Sequence, residues 1–346
     1  MAGSPLHDAA SSPRRPVRVE SPTASAGRGA VPLRHRAAGL ALRLVTSAFL
    51  RMPGMLAHAV ADAAALPLLA AARLHERRVA PLGRGIFRNQ RIVFREGLTR
   101  REAWRLLFAW ARHMTHLFVD FCRMPRLGAD TLERSVDVQA FRDVVPLLEE
   151  GRGLICVSGH LGVWELCPHL ASLVGIPITM VVRPTGIAPV DSVLTAIRSA
   201  GGAKVLTKWG ILLPLKRVLE RGEAVGLLAD EDARERPIFA PFLGTLAATT
   251  PSVAFLQRVT GATIVVASVH RVGRGRWRCH LWRVIRSEPG ADAERSEREV
   301  TAAVNEALSR AILAYPEQWL WGSRRYLTRP PGEQPGPDGL PPRAAG

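Results

Sequence analysis

The side chains with the clearest chemical potential lie in residues 154–166, LICVSGHLGVWEL, where His160 follows a short apolar run and Glu165 comes five residues later. An imidazole held by a carboxylate through one ring nitrogen is fixed in tautomer, and its other nitrogen is free to take a proton from a hydroxyl. That is the base-and-orienter half of a nucleophilic triad, with the attacking oxygen left to the substrate. The chain has no G-x-S-x-G elbow, which argues against a serine hydrolase of that type.

The spacing restricts the local fold. Five residues apart in one regular helix, two side chains point roughly 140° away from each other. His160 and Glu165 therefore meet only if the histidine occupies a strand-to-helix loop and the glutamate the first turns of the helix. Gly159 and Gly162 flank the histidine and suit such a loop.

The surrounding elements fit this placement. Apolar runs at 154–158, 178–183, 203–206, 224–230 and 263–271 read as strands, and 277–285 as an edge or antiparallel strand. Helical patterns fill 139–150, 162–174, 190–200, 210–221 and 296–314. This alternation predicts an α/β fold with a largely parallel, two-sided sheet flanked by helices, and ligands of such sheets bind at the carboxyl ends of the strands. A helix over 100–122 carries an apolar stripe of Trp104, Leu107, Phe108, Ala111, Thr115, Phe118 and Cys122. His113, His116 and Asp120 lie beside that stripe at metal-ligand spacing, but a polar helix interface explains them better than a metal does.

Four domains of behaviour are expected. Residues 1–36, rich in Ser, Pro, Gly and Arg, read as a disordered basic tail. Residues 37–99 read as a membrane-associating helical segment. Its apolar stretch 37–72 is interrupted by Arg43, Arg51, His58 and Asp62, which favours lying in a membrane interface over spanning it. A buried helical hairpin broken at Pro53 is the alternative. Residues 100–329 form the chemical domain, and 330–346 read as a second disordered tail.

The net charge of +17 implies an anionic partner, and all but three of the 47 basic side chains are arginine, which suits bidentate phosphate contact. The arginines are scattered and no nucleic-acid motif occurs, so nucleic acid is not expected. The four cysteines lack C-x-x-C spacing and read as free thiols.

Several ordered blocks carry a resemblance. GHLGVWEL, MVVRPTGIAPVDSVLTAIRSAGGAKVL, LLADEDARERPIFAPFLGTLAATTPSVAFLQRVTGATIVV and YPEQWLWGSRRYLTRP, preceded by FRNQRIVF, occur in order, and the resemblance they carry covers about residues 40–330. GHLGVWEL resembles the H-x4-D/E block of the lysophospholipid acyltransferase superfamily, and the set resembles its lipid A late-acyltransferase branch. The sequence departs from that branch at Glu231, where Gln is usual, at Ser323, where His is common, and at Leu327, which replaces a basic residue.

The resemblance implies a glycerolipid acyltransferase-like fold and transfer of an acyl chain from an acyl carrier protein or acyl-CoA thioester to a hydroxyl of an anionic lipid. The thioester is already activated, so no metal or redox cofactor is expected. His160 is implied as base and Glu165 as its partner. Arg198 is implied to bind acceptor phosphate or polarise the thioester carbonyl, while Asp230 and Asp232 line the site or hydrogen-bond a loop. Arg183, Arg324 and Arg325 are candidate phosphate or donor contacts, with surface charges or ion pairs as the alternative. The implied location is the cytoplasmic face of the inner membrane. A lysophospholipid, an amino-acid lipid or a phosphoinositide mannoside stays open as acceptor. From a different class, a non-catalytic binder of anionic membranes or nucleic acid stays open as well.

Overall fold

In this computed structural model residues 31–79, 85–207, 210–287 and 292–344 are described. The expected tail over residues 1–30 lies outside them.

The N-terminal part is helical: α1 (Leu33–Arg51), α2 (Gly54–Val79), α3 (Ile86–Phe94) and α4 (Arg100–Arg123). After α5 (Ala129–Ser135) come β1 (Val136–Asp137), α6 (Gln139–Arg142) and α7 (Val145–Glu149). Strands and helices then alternate through β2 (Leu154–Ser158), α8 (Leu166–Leu173), β3 (Ile178–Val182), α9 (Ala188–Arg198), β4 (Lys204–Thr207), α10 (Leu212–Glu220) and β5 (Ala224–Leu228). A hairpin, β6 (Ile238–Phe242) and β7 (Thr245–Thr249), leads to α11 (Ser252–Thr260), β8 (Thr263–Gly273), β9 (Arg276–Ile285) and α12 (Ala293–Ala314).

Seven strands form one sheet in the order β1-β9-β8-β2-β5-β3-β4, parallel except where β8 meets β9. The expected α/β class and largely parallel sheet are thus present. The antiparallel hairpin β6–β7, not among the strands expected from the sequence, stands apart as its own two-stranded sheet. Because β5 inserts between β2 and β3, it pairs with β2 in the register Ser158↔Leu228. That order brings together chain segments far apart in sequence.

Side chains alternate across the sheet, and both faces are covered. Ile155, Val157, Ile264 and Val266 enter one core with Leu107, Leu256, Leu308, Trp319 and Trp321. Leu154, Val265 and Val269 enter the other with Phe121, Leu166, Leu170 and Ile197. Apolar burial on both faces is why these strands read as unbroken apolar runs.

Helix α4 begins with a reciprocal cap: Thr99 accepts from the Glu102 backbone N–H, and Glu102 accepts from that of Thr99. Such a cap contributes about 1 kcal/mol. Its buried face, including Leu107, Trp110, Ala111, Leu117, Val119 and Phe121, only partly matches the predicted stripe. Phe108 and Phe118 are exposed, because α4 is packed by α2 on one side and by both sheet cores on the other.

The helical break falls at Met52-Pro53, as the sequence suggests, but α1 already begins at Leu33, so the end of the expected tail is helix. Ala57, Ala61, Ala65 and Ala72 of α2 are buried, and their small side chains allow close approach to α4. His58 and Asp62 also turn inward and meet His116, at 3.1 Å and 2.8 Å. The outer side keeps Met55, Leu56, Val60, Leu66 and Leu74 exposed. By length and composition the helix over Gly54–Arg78 could cross a membrane, and only 28% of its apolar window is buried.

The chain end corrects an expectation. Residues 330–344, predicted to be disordered, pack on the body. Leu340 is buried in the core, Asp338 pairs with Arg95, and Arg343 bridges Thr245 and donates to the Val93 carbonyl. The Pro and Gly content suggested disorder, whereas the one buried leucine and its flanking ion pair secure the segment.

Candidate active site

His160 lies two residues beyond β2, in a loop tied on both sides. Its carbonyl accepts from Leu320 N–H at 2.9 Å, Gly162 N–H donates to Gln318 at 2.9 Å, and Val163 N–H donates to Val269 at 2.7 Å. Glycine is required at Gly162 and fits tightly at Gly159. Gly162 has φ +62°, and a Cβ there would sit 2.0 Å from the Val269 carbonyl oxygen. A Cβ on Gly159 would come within 3.0 Å of the Asp230 carboxylate.

That carboxylate, from the turn after β5, organises the site. His160 Nδ1–H donates to Asp230 Oδ1 at 2.9 Å, and the His160 backbone N–H donates to Oδ2 at 2.8 Å. The Trp319 indole N–H donates to the same Oδ2 at 2.9 Å. Asp230 is fully buried, while the His160 side chain is 20% exposed. A carboxylate only accepts, so Nδ1 carries the proton and Nε2 presents its lone pair. Nε2 has no hydrogen-bond partner among the described residues, and the Trp164 ring packs edge-on against the imidazole at 5.4 Å.

Burial alone lowers the pKa of His160, but the charge and hydrogen bond of Asp230, helped by Glu231 and Glu165, outweigh it and hold the imidazole above its ordinary value. Burial conversely pushes Asp230 up, and its His160 and Trp319 donors bring it below the usual carboxylate range. The two shifts agree in describing a stabilised imidazolium–carboxylate pair.

The expected hydrogen bond from His160 to Glu165 is not formed. Asp230 already fills the place beside Nδ1, and Glu165 instead forms a two-pronged ion pair with Arg198, Nε to Oε2 at 2.8 Å and Nη2 to Oε1 at 2.6 Å. The Arg198 guanidinium also lies over the Phe121 ring at 5.9 Å. Glu165 therefore joins the start of α8 to the end of α9 and acts on the imidazole only through its field.

The acidic turn is gripped by the C-terminal block one residue at a time. Trp319 holds Asp230, Arg325 donates to the Glu231 carbonyl at 3.0 Å, and Thr328 satisfies both oxygens of Asp232 at 2.9 Å and 2.8 Å. Arg325, expected as a ligand contact, is instead wholly buried. It also donates to the Ala248 carbonyl (2.6 Å) and the Thr249 hydroxyl (2.8 Å), with its guanidinium 4.3 Å over Phe242. Burial pushes its pKa down to about 10, so it stays charged at neutral pH. Arg325 and Asp232 are committed to the scaffold.

Two of the anticipated cations face solvent. Arg183, just past β3, is exposed and reaches Glu231 at 3.2 Å, an exchangeable surface pair. Arg324 is exposed and forms no ion pair among the described residues.

The polar side chains of α4 brace the same loop. His113 donates from Nε2 to the Gly162 carbonyl at 3.0 Å, and burial, reinforced by Arg271, pushes its pKa down to about 3. Asp120 accepts from Arg271 and from the Trp277 indole. These contacts are the polar helix interface anticipated from their spacing.

Sequence reasoning missed Asp230 as the partner of His160, and missed Asn89 and Gln318. Asn89 donates to the carbonyls of Trp321 and Ser323 at 2.7 Å and 2.8 Å, and Gln318 exchanges two hydrogen bonds with the backbone of Arg271. The available signal was an Asp two residues beyond a strand, the same offset as His160, but it points to a pair only once β2 and β5 are known to be neighbours.

Chemically, the arrangement offers a partly exposed imidazole just past the carboxyl ends of β2 and β5, with its Nδ1 held by a buried carboxylate. It supplies no thiol nucleophile from the neighbouring cysteines, since burial pushes Cys156 and Cys167 up to about 12.

Residues 89–328 match the family model described as bacterial lipid A biosynthesis acyltransferase. The chain is 28% identical over 200 residues to the lipid A biosynthesis palmitoleoyltransferase of Escherichia coli (strain K12), covering 57% of this chain and 63% of that protein. It is 28% identical over 204 residues to the lipid A biosynthesis lauroyltransferase of the same organism, covering 58% and 65%. With a lipid A biosynthesis acyltransferase of Haemophilus influenzae it shares 25% over 186 residues, covering 53% and 57%. The match thus spans somewhat less than two thirds of each of these relatives.

Proposed function

Because the chain belongs to the bacterial lipid A biosynthesis acyltransferase family, we propose that it transfers a fatty acyl chain from a thioester to a hydroxyl of a lipid A precursor or related anionic lipid. The donor is an acyl carrier protein or CoA thioester. The observation that carries this reading is the buried Asp230 carboxylate on His160 Nδ1, which leaves Nε2 as an outward-facing base with no enzyme nucleophile beside it.

In this reading Nε2 takes the proton of the acceptor hydroxyl as the oxygen attacks the thioester carbonyl. The tetrahedral intermediate expels the thiolate, and the imidazolium returns the proton to the departing sulfur. Asp230 keeps the tautomer correct and stabilises the imidazolium that forms. Arg183 and Arg324 offer positive charge for acceptor phosphate, and Glu165 with Arg198 holds α8 against α9 beside the base. The exposed apolar side of α2 supports a site working at a membrane surface, which we assign to the cytoplasmic face of the inner membrane.

The test is single-turnover transfer by the full chain from acyl carrier protein or CoA thioesters to a lipid A precursor, read by lipid mass spectrometry. Wild type is expected to add one acyl mass, and His160→Ala to lose activity by about a thousandfold or more. A folded His160→Ala protein transferring at near wild-type rate sinks the mechanism. Failure of the wild-type chain to acylate any anionic lipid sinks the function.

A further inference from the structure

A cavity of about 460 Å³ is lined by the end of α2, α3, the start of α4 and the C-terminal segment. It shares no lining residue with the loop around His160. Arg73, Arg77, Arg88 and Arg91 converge on it, with Phe87 and Trp104 as an apolar wall. The two rings meet edge to face at 5.1 Å, and the Arg73 guanidinium lies over Trp104 at 5.0 Å.

The cavity's two carboxylates leave its four guanidinium groups in excess. Glu76 is buried and spends its oxygens on the first backbone N–H groups of α3, Ile86 at 2.6 Å and Phe87 at 3.2 Å. Asp338 is paired with Arg95 and gives Arg91 only a backbone carbonyl at 3.5 Å. None of the four arginines forms an ion pair among the described residues, and Arg88, half-buried, is pushed below its ordinary pKa by burial and then by Arg329 and Arg91. Favourable interaction with the negative end of α2 accounts for Arg77, but not for Arg88 and Arg91 across the cavity. Guanidinium groups in excess of carboxylates around an aromatic wall form a site for a phosphate attached to an apolar body.

Position selects the source of that phosphate. Arg73 and Arg77 follow directly on the exposed apolar residues of α2, with Leu66 and Leu74 in the same stretch. An apolar helix side ending in arginines matches the level of lipid headgroups. We propose that this cavity binds the phosphate headgroup of an anionic membrane lipid, separately from the acceptor hydroxyl beside His160. This rests on the membrane reading given above.

The experiment is co-flotation of the full chain with phosphatidylcholine vesicles, with and without phosphatidic acid. It compares wild type with Arg73→Gln/Arg77→Gln and with a charge-matched control, Arg295→Gln/Arg298→Gln on α12. Wild type is expected to favour phosphatidic acid vesicles, the cavity pair to lose that preference by about tenfold or more, and the control to keep it. Equal losses in both pairs mean that net charge alone is responsible and overturn the site. So does equal binding to vesicles made anionic with oleate instead of phosphatidic acid. Inorganic phosphate that abolishes the preference at the same concentration as lipid phosphate overturns the lipid assignment. Binding to neither vesicle type overturns the membrane reading and the proposal with it. Thioester transfer to a detergent-solubilised acceptor, measured alongside, tests the acyltransferase reading by itself, and the cavity pair is expected to retain it.

Discussion

His160 and Asp230 occupy equivalent positions beyond neighbouring parallel strands. The β2–β5 register Ser158↔Leu228, continued two residues past the strand ends, sets the imidazole opposite the carboxylate. The result is a 2.9 Å hydrogen bond between residues 70 apart in sequence, with the backbone N–H of His160 and the Trp319 indole completing the shell of the acid.

Asp230→Asn should inactivate without unfolding. Two N–H donors point at Oδ2, so the amide must keep its oxygen there and turn its NH2 toward His160 Nδ1. Nδ1 then becomes an acceptor, the proton moves to Nε2, and the base is capped. The expected loss in single-turnover rate is about 10³–10⁴-fold, with the unfolding midpoint moved far less than for a core substitution. A variant with more than a tenth of wild-type rate would show that the tautomer does not matter.

The pH–rate profile should rise through an apparent pKa above 6.5, since the base works only when neutral and Asp230 raises its value. Stability has its own window. The raised His160 contributes fully below its unfolded value near 6.5 and loses that contribution as pH climbs through the folded value. The depressed Asp230 contributes above its unfolded value of 3.8 and loses that as pH falls through the folded one. Urea melts across this range should place the pair's contribution highest between these two values, and Asp230→Asn should flatten the curve. A rate profile centred below 6.5 contradicts the assignment.

Glu165 and Arg198 are expected to behave as one unit. Each is largely buried, at 20% and 16% side-chain exposure, so Glu165→Ala or Arg198→Ala should each cost about 1–3 kcal/mol in denaturant melts. The double variant should cost clearly less than the sum. Because Glu165 is not on the imidazole, Glu165→Gln should slow transfer less than Asp230→Asn and shift the rate profile only slightly downward. Equal damage from both substitutions would restore Glu165 as the direct partner.

Arg325→Met should destabilise the fold by about 1–3 kcal/mol, because it leaves the Glu231 carbonyl without its donor and takes one of the partners from the Ala248 carbonyl and the Thr249 hydroxyl. Michaelis constants for donor and acceptor should change little in the fraction that folds. A specific rise in acceptor KM with unchanged stability would return Arg325 to the binding surface.

Much of this molecule is legible in one dimension. Runs such as LICVS and TIVVASVHR are strands because a sheet covered on both faces demands unbroken apolar residues, and β2 falls where the sequence places it. His160 in a glycine-flanked loop at a strand end is equally readable, because backbone freedom and strand length are local properties. So is the ordered set of motif blocks.

What the tertiary structure alone decided is who meets whom. Glu165 is the carboxylate near His160 along the chain and in the H-x4-D/E block, whereas lateral strand order delivers Asp230 and leaves Glu165 to Arg198. Arg325 and Arg324 are adjacent and alike in sequence, yet one is sealed over Phe242 and the other faces water. The Pro- and Gly-rich ending looked unstructured, yet Leu340 found a place in the core. Periodicity records whether a residue is buried in its own element. The identity of its neighbour depends on how strands are ordered and chain ends dock, and no local pattern encodes that order.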